Sequence, residues 1–159
     1  IFIIAPRHLD RVPEVEKILR EAGLSFVKRS GGAKLSELRE RTLLLDTMGE
    51  LPAAFSCADA AFVGGSLRDY GGHNPMEPAA LGIPVIFGPY MEQTGAKELL
   101  SGGAAVLVHD EQELAETVLD LWNNAERRAH MAEAGKQVVT KFKGVLARTL
   151  QCMENRRLL

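Results

Sequence analysis

The chain has 159 residues, a length typical of one domain, and a formal net charge of −2. Its basic residues are spread along the sequence, whereas a nucleic-acid-binding protein carries a clustered basic patch, so no nucleic-acid partner is expected. The two cysteines have neither metal-ligand nor disulfide spacing, and no apolar run approaches the ~20 residues of a membrane span.

Apolar segments of strand length alternate with helical patterns along the chain. Val12, Val15, Ile18 and Leu19 recur at helical spacing, and Gly23 is expected to end that helix. Strands are predicted at 1–5, 24–28, 41–45, 60–64, 84–87 and 104–108. Helices are predicted at 11–22, 49–57, 74–82, 94–101, 111–123, 125–135 and 137–156. This alternation predicts an α/β fold, a Rossmann-like doubly wound parallel sheet of about six strands.

Glycine and polar residues collect where the predicted strands end. Such segments follow the first, third, fourth and fifth strands, at 5–8, 46–50, 64–66 and 88–90. Ligands of doubly wound sheets bind beyond the carboxyl ends of the strands, so we expect a ligand at this edge. The fingerprint G-x-G-x-x-G does not follow the first strand, which makes a nicotinamide or flavin site unexpected.

The segment 62–89 carries the most chemical information. It is predicted to run from a strand through a glycine-rich loop into a helix that opens on Asn74 and Pro75. Asn74 is a good N-cap, and Pro75 suits the first helical position. Glycines allow close backbone approach, and the N–H groups at a helix start attract anions. The segment therefore predicts a phosphate site, with a purely structural turn as the alternative.

Four motifs now occur in a recognisable order. They are Ala5-Pro6-Arg7-His8, Asp46-Thr47-Met48-Gly49-Glu50-Leu51, Gly64-Gly65-Ser66 and Gly71-Gly72-His73-Asn74-Pro75-Met76-Glu77-Pro78. In these motifs the chain resembles, over roughly residues 1–125, the C-terminal domain of bacterial 3-deoxy-D-manno-octulosonic acid (Kdo) transferases. It departs from the family in having Pro52 and in the segment Tyr90–Thr94, where the family tends to have an aromatic residue or His and then Asn-Phe. The role of segment 90–94 therefore stays open.

The resemblance implies the C-terminal half of a GT-B fold, with residues 1–159 forming a single nucleotide-sugar-binding domain that ends in a helix at about 137–156. The donor would be CMP-Kdo, the acceptor a lipid A precursor, and the pathway lipopolysaccharide biosynthesis, with inversion and with no metal or other cofactor. Because Ile1–Ala5 is a fully apolar strand with nothing before it, we expect a soluble fragment of a longer protein. The acceptor domain with the general base would be missing, so the fragment should be inactive alone. The full-length enzyme would associate with the cytoplasmic face of the bacterial inner membrane.

Residues near the first and third strand ends are candidates for donor binding. The planar fork of Arg7 suits the phosphate or sugar carboxylate of CMP-Kdo, and His8 could donate to the same phosphate. Met48, Gly49 and Glu50 could hold the cytosine or the phosphate. The alternatives are a surface ion pair for Arg7, a surface or helix-capping role for His8, and a favourable interaction of Glu50 with a helix dipole.

Residues of the glycine-rich segment form the second candidate group. Gly65, Ser66, Gly71 and Gly72 would close on the phosphate, with the Ser66 hydroxyl as a further donor. His73, Asn74 and Glu77 would face the same cleft. In GT-B enzymes a Glu at this place typically binds the ribose hydroxyls, whereas the alternative for Glu77 is a first-turn acid. Loop N–H groups, Arg7 and His73 would stabilise the charge that grows on the departing CMP.

Two other functions fit parts of this pattern. The C-terminal half of a UDP-sugar-using GT-B transferase or epimerase would share the glycine loop and Glu77, and its base preference would differ. A non-catalytic doubly wound binding module is a different class. Its receiver-like form needs a phosphoacceptor Asp at the first strand end, where this chain has Ala5-Pro6-Arg7.

Overall fold

The computed structural model describes residues 1–32 and 42–142. Within these residues the strands are β1 Phe2–Ile4, β2 Val27–Lys28, β3 Thr42–Leu44, β4 Ala61–Phe62, β5 Val85–Phe87 and β6 Ala105–Leu107. The α-helices are α1 Val12–Glu21, α2 Leu51–Phe55, α3 Met76–Ala80, α4 Ala96–Ser101, α5 Glu111–Asn123 and α6 Ala125–Phe142. Short 3-10 turns lie at Leu9–Arg11 and Arg29–Gly31.

The predicted α/β fold with parallel strands is confirmed. Each described strand falls inside a predicted segment, and every strand pair is parallel. The sequence predicted one sheet of about six strands, but the hydrogen bonds connect the described strands as two sheets of three, in the orders β1-β3-β2 and β4-β5-β6. The chain correspondingly divides into two compact units, Ile1–Cys57 and Ala58–Leu159.

The first unit is built around β3. Leu43, Leu44 and Leu45 are buried because β3 has β1 on one side and β2 on the other. A buried central strand of this kind is a continuous apolar run. The parallel pairing places Ile4 opposite Leu44, and Leu45 N–H donates to the Ile4 carbonyl at 2.8 Å. The segments that follow β1 and β3 therefore emerge at the same edge of this sheet.

Helix α1 ends as its sequence predicts. Gly23 has a φ of +68°, Gly23 N–H donates to the Arg20 carbonyl at 3.0 Å, and Leu24 N–H donates to the Leu19 carbonyl at 2.9 Å. This is a Schellman motif, in which two otherwise unpaired carbonyls at the helix end are satisfied.

The second unit is built around β5. Val85 and Phe87 belong to the core on one face of the sheet, together with residues of α3, α4 and α6. Ile86 belongs to a second cluster with Leu121 of α5 and Met131 of α6. Since alternate residues of a strand point to opposite faces, helices cover both faces of this sheet, as the doubly wound fold requires.

Helix α6 differs from its prediction. The sequence predicted separate helices at 125–135 and 137–156, but one helix runs from Ala125 to Phe142. Gly135 lies inside it, against α3, where an added Cβ would lie 3.1 Å from the Ala79 carbonyl oxygen. The close approach of the two helices explains why glycine is present without ending α6. Residues 143–156 of the predicted terminal helix lie outside the described part of the chain.

Candidate functional site

Arg7 and His8 lie three and four residues after the end of β1 and are exposed. His8 has an extended backbone, and its carbonyl accepts from Arg11 N–H at 3.1 Å, so it starts the 3-10 turn through its main chain. Its side chain makes no capping hydrogen bond. The structure therefore contradicts the alternative that the His8 side chain caps a helix.

Met48, Gly49 and Glu50 form the turn between β3 and α2. Met48 is 75% exposed, and Gly49 has a φ of +82°, a conformation that favours glycine. The Glu50 carboxylate accepts from the Arg29 Nε–H at 2.6 Å, and both side chains are about one-third exposed. This ion pair, between residues 21 apart in the chain, has no local sequence signal, and sequence reasoning missed Arg29.

Asp46, at the start of the same motif, holds two loops together. It accepts from Ser30 N–H at 2.8 Å and from the Ser30 hydroxyl at 2.5 Å, and Lys28 Nζ lies 3.9 Å away. The carboxyl side chain is only 8% exposed. Burial raises the pKa of Asp46, but the bonds from Ser30 and the charge of Lys28 outweigh burial, so that the net pKa is lowered. Asp46 therefore connects the segments that follow β2 and β3.

The glycine-rich loop closes on itself in the second unit. Gly72 N–H donates to the Gly65 carbonyl at 3.2 Å. Gly65, Gly71 and Gly72 have φ values of +76°, +78° and +67°, which other residues rarely adopt. A Cβ on Gly72 would also lie 2.6 Å from Met91 Sδ. These glycines are thus required by the shape of the loop itself.

Ser66 is fully buried at the base of this loop. Its hydroxyl donates to the Val63 carbonyl at 2.6 Å and accepts from Gly88 N–H at 2.8 Å. A hydroxyl has a single proton, so the Ser66 proton is used inside the fold. The expectation that this hydroxyl donates to a bound phosphate does not agree with that geometry. Sequence reasoning placed Gly88 in the segment 88–90 at the expected ligand edge but did not predict its contact with Ser66.

Asn74 and Glu77 are joined at the start of α3. Asn74 Oδ1 accepts from Met76 N–H at 3.0 Å, and Asn74 Nδ2 donates to Glu77 Oε1 at 3.1 Å. Asn74 is therefore not the N-cap that the sequence predicted, because α3 begins one residue later with Pro75 at the N-cap, but its side chain still accepts from the first helical N–H. Helix α3 has only five residues, which leaves it a small dipole. Phosphate binding here would depend mainly on loop N–H groups and side chains.

The structure brings the predicted residues together as one group within each unit. In the first unit, the segments with Arg7 and His8 and with Met48, Gly49 and Glu50 follow neighbouring parallel strands. In the second unit, the loop from Gly65 to Gly72 leads through half-buried His73 into the Asn74–Glu77 pair.

Residues 1–32 and 42–142 contain neither a metal-binding cluster nor a membrane-spanning helix. No group of three or more His, Cys, Asp or Glu side chains is placed there to hold a metal ion. In the same part of the chain, none of the helices combines the length and the apolar character needed to cross a bilayer.

Comparison with known proteins decides the family. A sequence model described as glycosyl transferase-like matches residues 48–151. The crystal structure of the C-terminal CMP-Kdo binding domain of WaaA from Acinetobacter baumannii is similar, with a TM-score of 0.80 and 31% identity. The match covers 86% of this chain and 72% of that one. The chain belongs to the Kdo transferase family of glycosyltransferases.

Curated relatives agree with this family. The Kdo transferase of Bordetella pertussis is 34% identical over 157 residues, which are 98% of this chain and 37% of that protein. A bifunctional glycosyltransferase/methyltransferase of Fusobacterium nucleatum is 38% identical over 126 residues, 77% of this chain and 20% of that protein. The chain thus spans about a third of the length of its first Kdo transferase relative. The predicted resemblance and α/β fold are confirmed, while the donor-binding residues remain predictions.

Proposed function

We propose that the chain is the donor-binding domain of an enzyme that transfers Kdo from CMP-Kdo. The observation that carries this proposal is the likeness, over most of both chains, to a domain described as binding CMP-Kdo. The closed glycine-rich loop adds independent chemical support. Its positive-φ glycines bring bare backbone close to a ligand, as phosphate sites require.

The phosphate of the donor would be held by the loop from Gly65 to Gly72. During transfer CMP leaves as a phosphate monoester, and negative charge grows on its phosphate. N–H groups that are already fixed in place stabilise such charge without reorganising during the reaction. His73 would add positive charge or a hydrogen-bond donor to this phosphate. For Arg7 and His8 of the first unit we keep the predicted role in donor binding.

Residues are also proposed for recognition of the ribose and the base of the donor. Glu77 would accept from the ribose hydroxyls, and the hydrogen bond from Asn74 Nδ2 would hold its carboxylate for that purpose. Exposed Met48 would lie against the cytosine, with Gly49 and Glu50 beside it. The Arg29–Glu50 ion pair would fix the orientation of Glu50.

The full-length enzyme would transfer Kdo to a lipid A precursor with inversion, for lipopolysaccharide biosynthesis. We assign the acceptor and the general base to a separate N-terminal domain of a GT-B fold, with no metal ion or cofactor. With an acceptor of this kind, the reaction would take place at the cytoplasmic face of the inner membrane.

A calorimetric titration of the chain with CMP, against UMP, UDP and ADP, tests the proposal. We expect selective binding of CMP. In parallel NMR titrations, the backbone amides of Arg7, the 65–72 loop and Glu77 should shift. Preference for UDP would replace the proposal by a UDP-sugar-using enzyme. A folded sample that binds none of the four nucleotides would contradict it.

A further inference from the structure

We propose that Ser66 is a positioning residue, which locks the glycine-rich loop to the segment Gly88–Gln93 and does not use its hydroxyl to contact the donor. The proposal rests on the proposed function, because it assumes that the loop binds the donor phosphate. It also gives a role to the segment 90–94, whose sequence departs from the family pattern.

The hydroxyl of Ser66 makes its hydrogen bonds inside the fold. It is buried and connects the end of β4 with the end of β5, since it donates to the Val63 carbonyl and accepts from Gly88 N–H. Because the hydroxyl donates its single proton to the Val63 carbonyl, it has no proton left to donate to a phosphate. Its remaining function is to fix the point at which the loop leaves β4.

The backbone of Ser66 also contacts the segment after β5. Its carbonyl accepts from Tyr90 N–H at 2.9 Å. The two chain segments approach so closely that a Cβ on Gly88 would overlap the Ser66 carbonyl oxygen. Glycine at 88 is therefore a condition for both hydrogen bonds between Ser66 and the segment after β5.

The other end of the glycine-rich loop contacts the same segment. The Gly71 carbonyl accepts long hydrogen bonds from Glu92 N–H at 3.4 Å and from the Gln93 side-chain amide at 3.5 Å. Met91 fills the space beside Gly72. The segment 88–93 thus contacts the loop at both ends, while Tyr70 near the tip is 81% exposed.

These contacts have a direct consequence for ligand binding. A loop that is ordered before the ligand arrives does not lose further conformational entropy on binding. If the Ser66 contacts are removed, the loop amides must be ordered by the ligand, and phosphate affinity falls. The affinity of a ligand part that does not reach the loop should not change.

The test compares CMP with cytidine, which lacks the phosphate. Ser66→Ala should raise the dissociation constant of CMP about tenfold or more and leave that of cytidine unchanged. Gly88→Ala should have the same selective effect, although residue 88 lies outside the loop. Because both substitutions break one set of contacts, the double variant should bind CMP about as well as the weaker single variant.

Ser101→Ala is the matched control. This serine also donates to a backbone carbonyl of the second unit, that of Glu98 at 3.3 Å, but it is exposed and lies in α4. Its replacement should change neither the CMP affinity nor the cytidine affinity. Hydrogen exchange supplies a second readout: the amides of Gly72 and Gly88 should exchange faster in Ser66→Ala, and those of α6 should not.

Several results would overturn the proposal. Unchanged CMP affinity in Ser66→Ala is one, and equal losses for CMP and cytidine are another. A loss in Ser66→Ala without a loss in Gly88→Ala would assign the hydroxyl to direct phosphate contact. Should Ser66→Ala fail to fold, Gly88→Ala and Met91→Ala carry the same comparison. A wild-type chain that prefers UDP refutes the proposed donor alone, and the positioning role is then tested with UMP against uridine. A folded chain that binds no nucleotide overturns both.

Discussion

Asn74 donates a hydrogen bond from its side-chain amide to the carboxylate of Glu77, at 3.1 Å. The same side chain accepts from Met76 N–H through its oxygen, so one residue both caps α3 and orients the acid three positions later. Capping is a sufficient reason for an Asn here, but a serine or aspartate would serve it as well. A carboxylate has no proton to donate to Glu77, and a serine would have to use one shorter hydroxyl for both contacts, whereas the amide has a separate oxygen and nitrogen for them.

Glu77→Ala should weaken CMP binding about 10- to 100-fold, since a hydrogen bond to a charged group contributes about 1.5–3 kcal/mol. Because we assign Glu77 to the ribose hydroxyls, the loss should be smaller for 2′-deoxy-CMP, which lacks one of them. Calorimetry with both nucleotides measures the difference. Equal losses for CMP and 2′-deoxy-CMP would remove the ribose assignment.

Asn74→Ser separates capping from orientation. Serine keeps a side-chain oxygen that can accept from Met76 N–H, so we expect stability to change by less than about 0.5 kcal/mol. It removes the amide that holds Glu77, and CMP binding should weaken by severalfold. Urea unfolding and calorimetry on the same sample provide the two values. If Asn74→Ser bound CMP as the wild type does, the orientation of Glu77 by Asn74 would be irrelevant to the donor.

The positions of the strands were predictable because buried parallel strands are apolar throughout, as Leu43 to Leu45 are. The Schellman turn at Gly23 was predictable for an equally local reason. The pairing of Arg29 with Glu50 and the contact of Ser66 with Gly88 were not, because each joins residues more than 20 positions apart. No periodicity or spacing in one sequence encodes such pairs.

The candidate site shows the same division. The sequence located the glycine-rich loop and singled out Glu77, because glycines and a carboxylic acid can be recognised from residue type alone. It assigned the Ser66 hydroxyl to a phosphate because residue type alone does not reveal the direction of a hydroxyl. It also placed a helix break near Gly135, where the cost of an internal glycine, about 1 kcal/mol, is accepted for close contact with Ala79.

Gly72→Ala combines two unfavourable effects. The left-handed conformation costs a non-glycine residue about 1–2 kcal/mol, and the new methyl group would press on Met91. We therefore expect a loss of about 2–4 kcal/mol in the free energy of unfolding together with weaker CMP binding. Gly23→Ala is the matched control, since Gly23 also has a positive φ but has open space around it. Its stability loss should be limited to the backbone cost, without a change in CMP affinity. Equal stability losses in the two variants would argue against the contact with Met91.

Gly135→Val tests how closely α6 must approach α3. The added side chain would meet the Ala79 backbone, and we expect a destabilisation of about 1–3 kcal/mol from overpacking. Gln137→Val, on an exposed position of α6, should cost about 0.5 kcal/mol, the usual difference in helix propensity. Chemical denaturation measures both. A Gly135→Val protein as stable as Gln137→Val would show that the helices can move apart without loss.

Asp46 should make the first unit sensitive to acid. Its folded-state pKa lies below the ordinary value of 3.8, so the unfolded chain binds this proton more tightly than the folded one. The stabilisation is therefore complete above the unfolded pKa and disappears as the pH falls through the folded pKa. Asp46→Asn should lower stability at pH ~7 by about 1–3 kcal/mol, since it removes hydrogen bonds to a charge, and the difference from the wild type should shrink towards pH ~3. Urea titrations followed by the NMR signals of Leu43–Leu45 measure this at each pH, with exposed Asp10→Asn as the control. A difference that stays constant from pH ~7 to pH ~3 would mean that the Asp46 charge does not hold the two loops together.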